Sequence, residues 1–292
     1  MYGHQAVLLS EVLSYLDPQP GRRYIDATFG AGGHTRALLE RTTPDGTVLA
    51  LDLDDSALEQ GRQNMASFGS RLVLEKANFK DVASVAQARE FTDVDGILAD
   101  IGVSSMMLDD PDRGFSFMRE GPLEMRMDQN QALTAAEIVN TYSEKEIADI
   151  LYIYGEERRS RPIARSIVHK RPLATTSDLV QAIQRVMGAP RYGKIHPATR
   201  TFQALRIAVN DELGNLQAFL NSAPSCLKPG GRLAVITFHS LEDRIVKNAF
   251  RSSALPGKAL TKKVVTATPE ETQSNSRARS AKLRVWEKNH GN

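Results

Sequence analysis

Residues 23–35 read RYIDATFGAGGHT. Tyr24 and Ile25, aromatic and β-branched, lead into Asp26, then into a loop with Gly30, Gly32 and Gly33, then into the helix-favouring Thr35-Arg36-Ala37-Leu38-Leu39-Glu40. The pattern predicts a strand, a glycine turn and a helix start. Glycines lacking Cβ let a ligand lie directly on the backbone, and the first N–H groups of the following helix point into the same space. A nucleotide-like cofactor is the expected occupant.

The residue order narrows the cofactor. A dinucleotide turn wants glycines at its first, third and sixth positions, and counting from Gly30 the sixth is Thr35. No Gly-Lys-Ser/Thr follows, which excludes a P-loop here. What remains is an acid before the glycines and a second acid, Asp52, closing the next apolar run Thr47–Leu51. A carboxylate at a second strand end suits a ribose with two free hydroxyls. This order resembles the S-adenosylmethionine site of Rossmann-like methyltransferases.

Working outward, the same rhythm repeats. Val7–Leu16 places Leu8, Leu9, Val12, Leu13 and Leu16 on one helical face, ended by Pro18 and Pro20. Asp54-Asp55-Ser56 offers N-caps for a helix to about Phe68. Leu72–Glu75 reads as a short strand and is followed by Asn78-Phe79-Lys80-Asp81, where Phe79 is either a wall for an adenine ring or a core aromatic. Val94–Asp100 is a fourth strand ending in a carboxylate. Strand–helix units in this succession build a parallel sheet, with ligands outside its carboxyl edge. Asp26, Gly30, Asp52, Phe79 and Asp100 are all expected at that edge.

After Ser105 the alternation stops for about a hundred residues, the length of a domain. Segments 134–139, 143–154, 161–169 and 177–187 read as helices of an insertion. His196–Arg206 opens a long helix through about Leu220 that returns the chain to the sheet. Pro229-Gly230-Gly231 ends the next helical piece, and Arg232–Phe238 is an apolar strand running into His239. Residues 264–268 and 283–287 form a possible closing pair of strands. The expected organisation is therefore a methyltransferase domain in two parts, 1–105 and 201–292, around an all-α domain at 106–200.

Composition sets the class. With 292 residues, 41% apolar and 25% charged, the chain can bury a large core. No apolar run approaches a membrane span, and the N-terminal segment lacks the features of a signal peptide, so a cytoplasmic location is expected. The single cysteine, Cys226, excludes an internal disulfide and a cysteine-rich zinc site and reads as a small buried hydrophobe. Asp109, Asp110 and Asp112 read as a solvated turn without a calcium-loop pattern. The net charge of +2 hides an asymmetry: between Arg158 and Arg206 there are eleven Lys or Arg and one acid, Asp178. A second basic stretch spans Lys258–Lys288. Two such stretches beside a cofactor site favour a polyanionic substrate.

The blocks DATFGAGGHT, DIGVSS, RGFSFM, GPLEMRMD, YGEER, HPATRTFQALRI, LKPGGRL, FHSLEDRIVK and SRARSAKLRV resemble the ribosomal RNA small subunit methyltransferase H family nearly end to end. The resemblance implies a Rossmann-like α/β methyltransferase with a helical insertion. It also implies transfer of a methyl group from S-adenosylmethionine to N4 of a cytidine in the decoding region of 16S rRNA, with the small ribosomal subunit as partner. It carries no metal requirement and leaves a homodimer open. The cofactor contacts it implies are Gly32, Gly33, His34, Asp52, Phe79 and Asp100, and Asp100 is the candidate catalytic group. Two departures stand out: Met106-Met107 replaces the family's usual Pro-Gln, and Leu53 its common Arg. Met107 has no hydrogen-bond donor, so no cofactor contact is carried onto it. The rival readings are a methyltransferase of a non-RNA substrate and a non-catalytic rRNA-binding assembly factor.

Overall fold

The computed structural model describes residues 6–252 and 254–290. Its backbone divides into two units: one runs to Gly102 and resumes at Leu213, and the other is Val103–Glu212. The second junction lies a dozen residues beyond the expected one because the helix Thr199–Asn210 belongs to the inserted unit. The expected single helix from His196 to Leu220 is two. Asp211 takes the left-handed conformation (φ 46°, ψ 43°), its N–H caps the carbonyl of Ile207, and a new helix, Glu212–Cys226, begins. Asp tolerates this conformation better than most residues. Apolar periodicity runs through both helices, so a one-residue break does not disturb it.

The first unit is built on seven strands among the described residues: β1 (Arg23–Asp26), β2 (Thr47–Asp52), β3 (Leu72–Lys76), β4 (Val94–Asp100), β5 (Leu227–Thr237), β6 (Gly257–Ala259) and β7 (Lys282–Lys288). Their spatial order is β3-β2-β1-β4-β5-β7-β6. The pairs β1–β2, β1–β4, β2–β3 and β4–β5 are parallel, whereas β7 runs antiparallel to both β5 and β6. The strands are near-continuous apolar runs because helices cover both faces of the sheet. Ile25, Leu49, Ile97 and Val235 pack on one face, and Tyr24, Val48, Leu98 and Ala234 on the other, following the two-residue strand period.

Two local expectations change here. Pro229-Gly230-Gly231 lies within β5, where the β4–β5 register shifts between Val94 and Gly96, instead of only ending a helix. The predicted partner of the last strand, 264–268, contributes one isolated bridge, Val265 to Leu283. One edge of β7 is taken by Arg232–Thr237, and the other is first filled by Gly257–Ala259 and by the N–H of Leu260. Only the end of the second edge is left for Val265.

The inserted unit is helical: Ala135–Thr141, Glu144–Gly155, Ser160–His169, Thr176–Met187 and Thr199–Asn210 are its longer helices. Thr134, Ser143 and Thr175 accept N-terminal backbone N–H groups, the last two in reciprocal capping boxes with Glu146 and Asp178. Ile138, Ile147, Leu151, Ile163, Leu179, Phe202 and Leu205 interlock in a core of their own.

Candidate active site

Three of the five consecutive parallel strands end in a carboxylate: β1 in Asp26, β2 in Asp52 and β4 in Asp100. The strand order reverses between β1 and β4, and the crevice outside such a switch point is where open α/β sheets bind ligands.

Asp26 is a structural anchor. It is buried, accepts the hydroxyl of Thr35 at 2.6 Å and the N–H of Thr28 at 3.2 Å, and so ties the end of β1 to the first turn of the helix Gly33–Arg41. Burial pushes its carboxyl up to about 7. The Thr28 hydroxyl oxygen in turn accepts the backbone N–H of Asp100 at 2.6 Å, linking β1 to β4 at the crevice. Gly32 precedes the helix at φ +77°, and a Cβ there would lie 2.8 Å from the ring of Phe29. A side chain is thus refused on both conformational and spatial grounds.

Asp52 is oriented by two backbone donors. One oxygen accepts the N–H of Gly30 at 2.7 Å and the other that of Asp54 at 2.9 Å. Each oxygen keeps a lone pair, the arrangement a vicinal ribose diol requires. Burial raises the Asp52 carboxyl, and the two backbone donors oppose the rise. Phe79 sits in a single turn after β3 and packs edge-on against Phe219, with centroids 5.5 Å apart, leaving the ring half-buried on the core.

Asp100 differs from the other two. Its side chain is 26% exposed, yet Oδ1 is enclosed and has no hydrogen-bond partner among the described residues. Oδ2 lies 3.8 Å from Nε2 of buried His34, whose ring also meets the Val7 backbone and whose ring nitrogens make no well-formed hydrogen bond among the described residues. Desolvation, then the charges of Asp26 and Glu242, push the Asp100 carboxyl up to about 8, and burial pushes His34 down to about 4. Buried polar atoms are nearly always paired, so unpaired ones gathered at one strand end mark a place made for a polar ligand.

A participant the sequence reading left without a role is Glu242. It is fully buried, and Oε2 accepts the N–H groups of Phe238 and His239 at 2.8 and 3.2 Å. His239 caps the helix Ser240–Arg251, accepting the Glu242 N–H, and its Nε2 lies 3.0 Å from Oε1 of Glu242. The turn they hold follows β5, where Ile236 accepts the N–H of Ile101 beside Asp100. The spacing of a polar cap and an acid three residues on, just after an apolar strand, is the signal that would have found the pair.

Met107 is buried in the core of the inserted unit with Phe115 and Leu123.

The ribose-ready carboxylate, the open glycine backbone and the unpaired atoms of His34 and Asp100 fit adenosine and amino-acid portions carried by one molecule. With strand order 3-2-1-4-5-7-6 and a single antiparallel strand, the fold and the crevice define the class of Rossmann-like methyltransferases that use S-adenosylmethionine. Within that class, the model of the MraW methylase family matches residues 1–289. Ribosomal RNA small subunit methyltransferase H of a Nostoc species is 51% identical over 289 residues, covering 99% of this chain and 93% of the relative. The proteins of the same name from Sorangium cellulosum and Dehalococcoides mccartyi are 52% and 47% identical, covering 97% and 98% of this chain and 90% and 87% of those relatives. The chain belongs to the MraW methylase family and is a methyltransferase.

Proposed function

We propose that this enzyme transfers the methyl group of S-adenosylmethionine to N4 of a cytidine in the decoding region of 16S rRNA, in the cytoplasm. The observation that carries the proposal is the enclosed, unpaired Oδ1 of Asp100 at the sheet's switch point. The names of the relatives and the basic insertion supply the rRNA. Gly32, Gly33 and His34 form the cradle of the cofactor, Asp52 holds its ribose, Phe79 borders its adenine and Asp100 faces its reacting end. When bound, the cofactor supplies an electrophilic methyl group.

The protein's own work is positioning and proton handling. A cytosine amine is a weak nucleophile because its lone pair is delocalised into the ring. Asp100 Oδ1, once ionised, accepts an N–H of that amine and localises the lone pair on N4 for attack. The methyl group would be supplied by the cofactor held at Gly32, Gly33, His34 and Asp52, and the surplus N4 proton would leave to solvent. Holding the two reactants in line contributes about 7–11 kcal/mol in favourable cases. The base must leave its stack to enter the crevice, which costs a few kcal/mol when it starts in a helix. Exposed cations of the insertion hold phosphates and supply affinity.

The test is transfer of labelled methyl to small ribosomal subunits lacking the modification, and to their extracted rRNA, followed by nucleoside analysis. N4-methylated cytidine is the expected product. Label in protein or in another nucleoside overturns the substrate assignment.

A further inference from the structure

The most exposed large hydrophobic side chain of the described residues lies in the inserted unit. Tyr192 is 106% exposed, more open than in a short peptide, and Ile195 beside it is 73% exposed. Both belong to the connection between the helices Thr176–Met187 and Thr199–Asn210. That connection has a defined shape. The N–H of Lys194 donates to the carbonyl of Arg191 at 3.1 Å, closing a turn with Tyr192 and Gly193 at its centre. Gly193 has φ +70° and Tyr192 does not have a positive φ, the combination of a type II turn, whose third residue favours glycine. At the foot of the connection His196 stacks on Phe117, 4.4 Å between centroids and 16° between planes, and Phe117 meets Phe202 edge-on. The base of the turn is therefore pinned to the core while Tyr192 projects from its tip.

Charge identifies what the bare ring meets. From Leu179 to Asn210 there is no acidic residue and there are five Lys or Arg. Two of them are used internally: Arg200 donates to the carbonyl of Glu156, and Arg206 forms a bidentate pair with Glu212. Arg185, Arg191 and Lys194 are exposed and have no ion pair or hydrogen-bonded side chain among the described residues. Arg191 and Lys194 occupy the two corners of the turn whose apex is Tyr192. An aromatic face between two free cations is the arrangement that holds a single strand of nucleic acid, the ring stacking on a base and the cations meeting the flanking phosphates. A protein-docking patch of this size has no need for cations without acids, and a duplex offers no unstacked base to the ring.

We propose that Tyr192, with Arg191 and Lys194, is a stacking platform for an unpaired nucleotide of the RNA substrate. The platform rests on the rRNA reading above and adds the element that engages single-stranded RNA.

Full-length protein and its Tyr192→Ala, Tyr192→Trp and Arg191→Glu/Lys194→Glu variants are compared in two assays. The first is binding of a fluorescent single-stranded RNA of a dozen nucleotides and of the same sequence as a duplex. The second is methyl transfer to small ribosomal subunits lacking the modification and to their extracted rRNA. Tyr192→Ala is expected to weaken single-strand binding about tenfold, with an unchanged salt dependence, and to raise KM for RNA with kcat unchanged. Tyr192→Trp retains binding. The double charge reversal flattens the salt dependence by about 1.4 in log–log slope, at about 0.7 per phosphate contact. Transfer by the parent protein together with unaltered binding and KM in Tyr192→Ala overturns the platform while leaving the rRNA reading intact. A change of oligomeric state in Tyr192→Ala, with RNA binding unaltered, overturns it in favour of a protein contact. No transfer to RNA by the parent protein overturns both readings.

Discussion

At the scale of single residues, Asp26 and Asp52 each have both carboxylate oxygens engaged by a protein donor, and Asp100 keeps one oxygen in reserve. Asp100→Ala is therefore expected to lower kcat by about a hundredfold or more, within the range for a positioned acid–base group. RNA affinity should stay within about threefold, since phosphate contacts dominate it. Equal loss of turnover and RNA affinity in steady-state and equilibrium binding assays would sink the role. The same carboxyl makes stability depend on pH. Its value rises from 3.8 unfolded to about 8 folded, so between those limits the folded chain binds more protons than the unfolded chain and stability falls as pH rises. His34 acts in the opposite sense, lowered from 6.5 to about 4, so its contribution falls as pH drops through that window. Asp100→Asn removes the carboxylate's share. Its melting temperature should rise relative to the parent at pH 9 by more than at pH 4.5, and equal shifts at both pH values would contradict the assignment. Asp26, Asp52 and Asp100 were legible as strand-end acids. Which of them keeps an unpaired oxygen was not, because that depends on donors the fold brings up from elsewhere in the chain: the Gly30 N–H toward Asp52, and the Thr35 hydroxyl toward Asp26.

At the scale of elements, the helix Asp55–Asn64 shows how packing overrules propensity. Gly61 lies mid-helix, where Ala is preferred by about 1 kcal/mol. A Cβ at Gly61, however, would sit 2.5 Å from Cζ of Phe29 and 3.2 Å from Leu74, and the same ring already closes over Gly32 of the cofactor turn. Overpacking of this kind costs about 1–3 kcal/mol. Gly61→Ala is expected to destabilise the protein by about 1 kcal/mol net in urea denaturation and to weaken cofactor binding by moving Phe29 against the turn. A stabilised variant would show that the ring yields freely. Most elements were readable from period and caps, including the strands ending in Asp26, Asp52 and Asp100 and the four helices of the insertion from Ala135 to Met187. The break at Asp211 and the partner of β7 were not. The first is a single backbone conformation inside a continuous apolar period, and the second depends on which edge β5 had already occupied.

At the scale of the whole molecule, charge that looks uniform in sequence is divided by the fold. Arg171 donates to the carbonyls of Val139 and Tyr142, Lys170 to Gln181, and Arg206 to Glu212, so part of the basic run stabilises the insertion itself. In the C-terminal stretch Arg284 pairs with Asp243 and Lys258 with Glu287. Arg161, Arg165 and His169 remain at four-residue spacing on the exposed side of one helix, with only a solvent-exposed contact from Arg165 to Glu144. Reversing Arg161 and Arg165 to Glu is expected to weaken rRNA binding at least tenfold at low salt, with kcat at saturating RNA and cofactor affinity unchanged. Activity indifferent to the reversal, measured as methyl transfer against RNA concentration, would favour a non-RNA substrate. The sequence by itself determined the alternation of strand and helix, the acid at each strand end and the glycine turn, because these follow from side-chain period, backbone freedom and chain order. Tertiary structure alone decided which cations are free, which carboxylate oxygen is unpaired and that Tyr192 stands bare between Arg191 and Lys194, because pairing and exposure depend on residues brought together from distant parts of the chain.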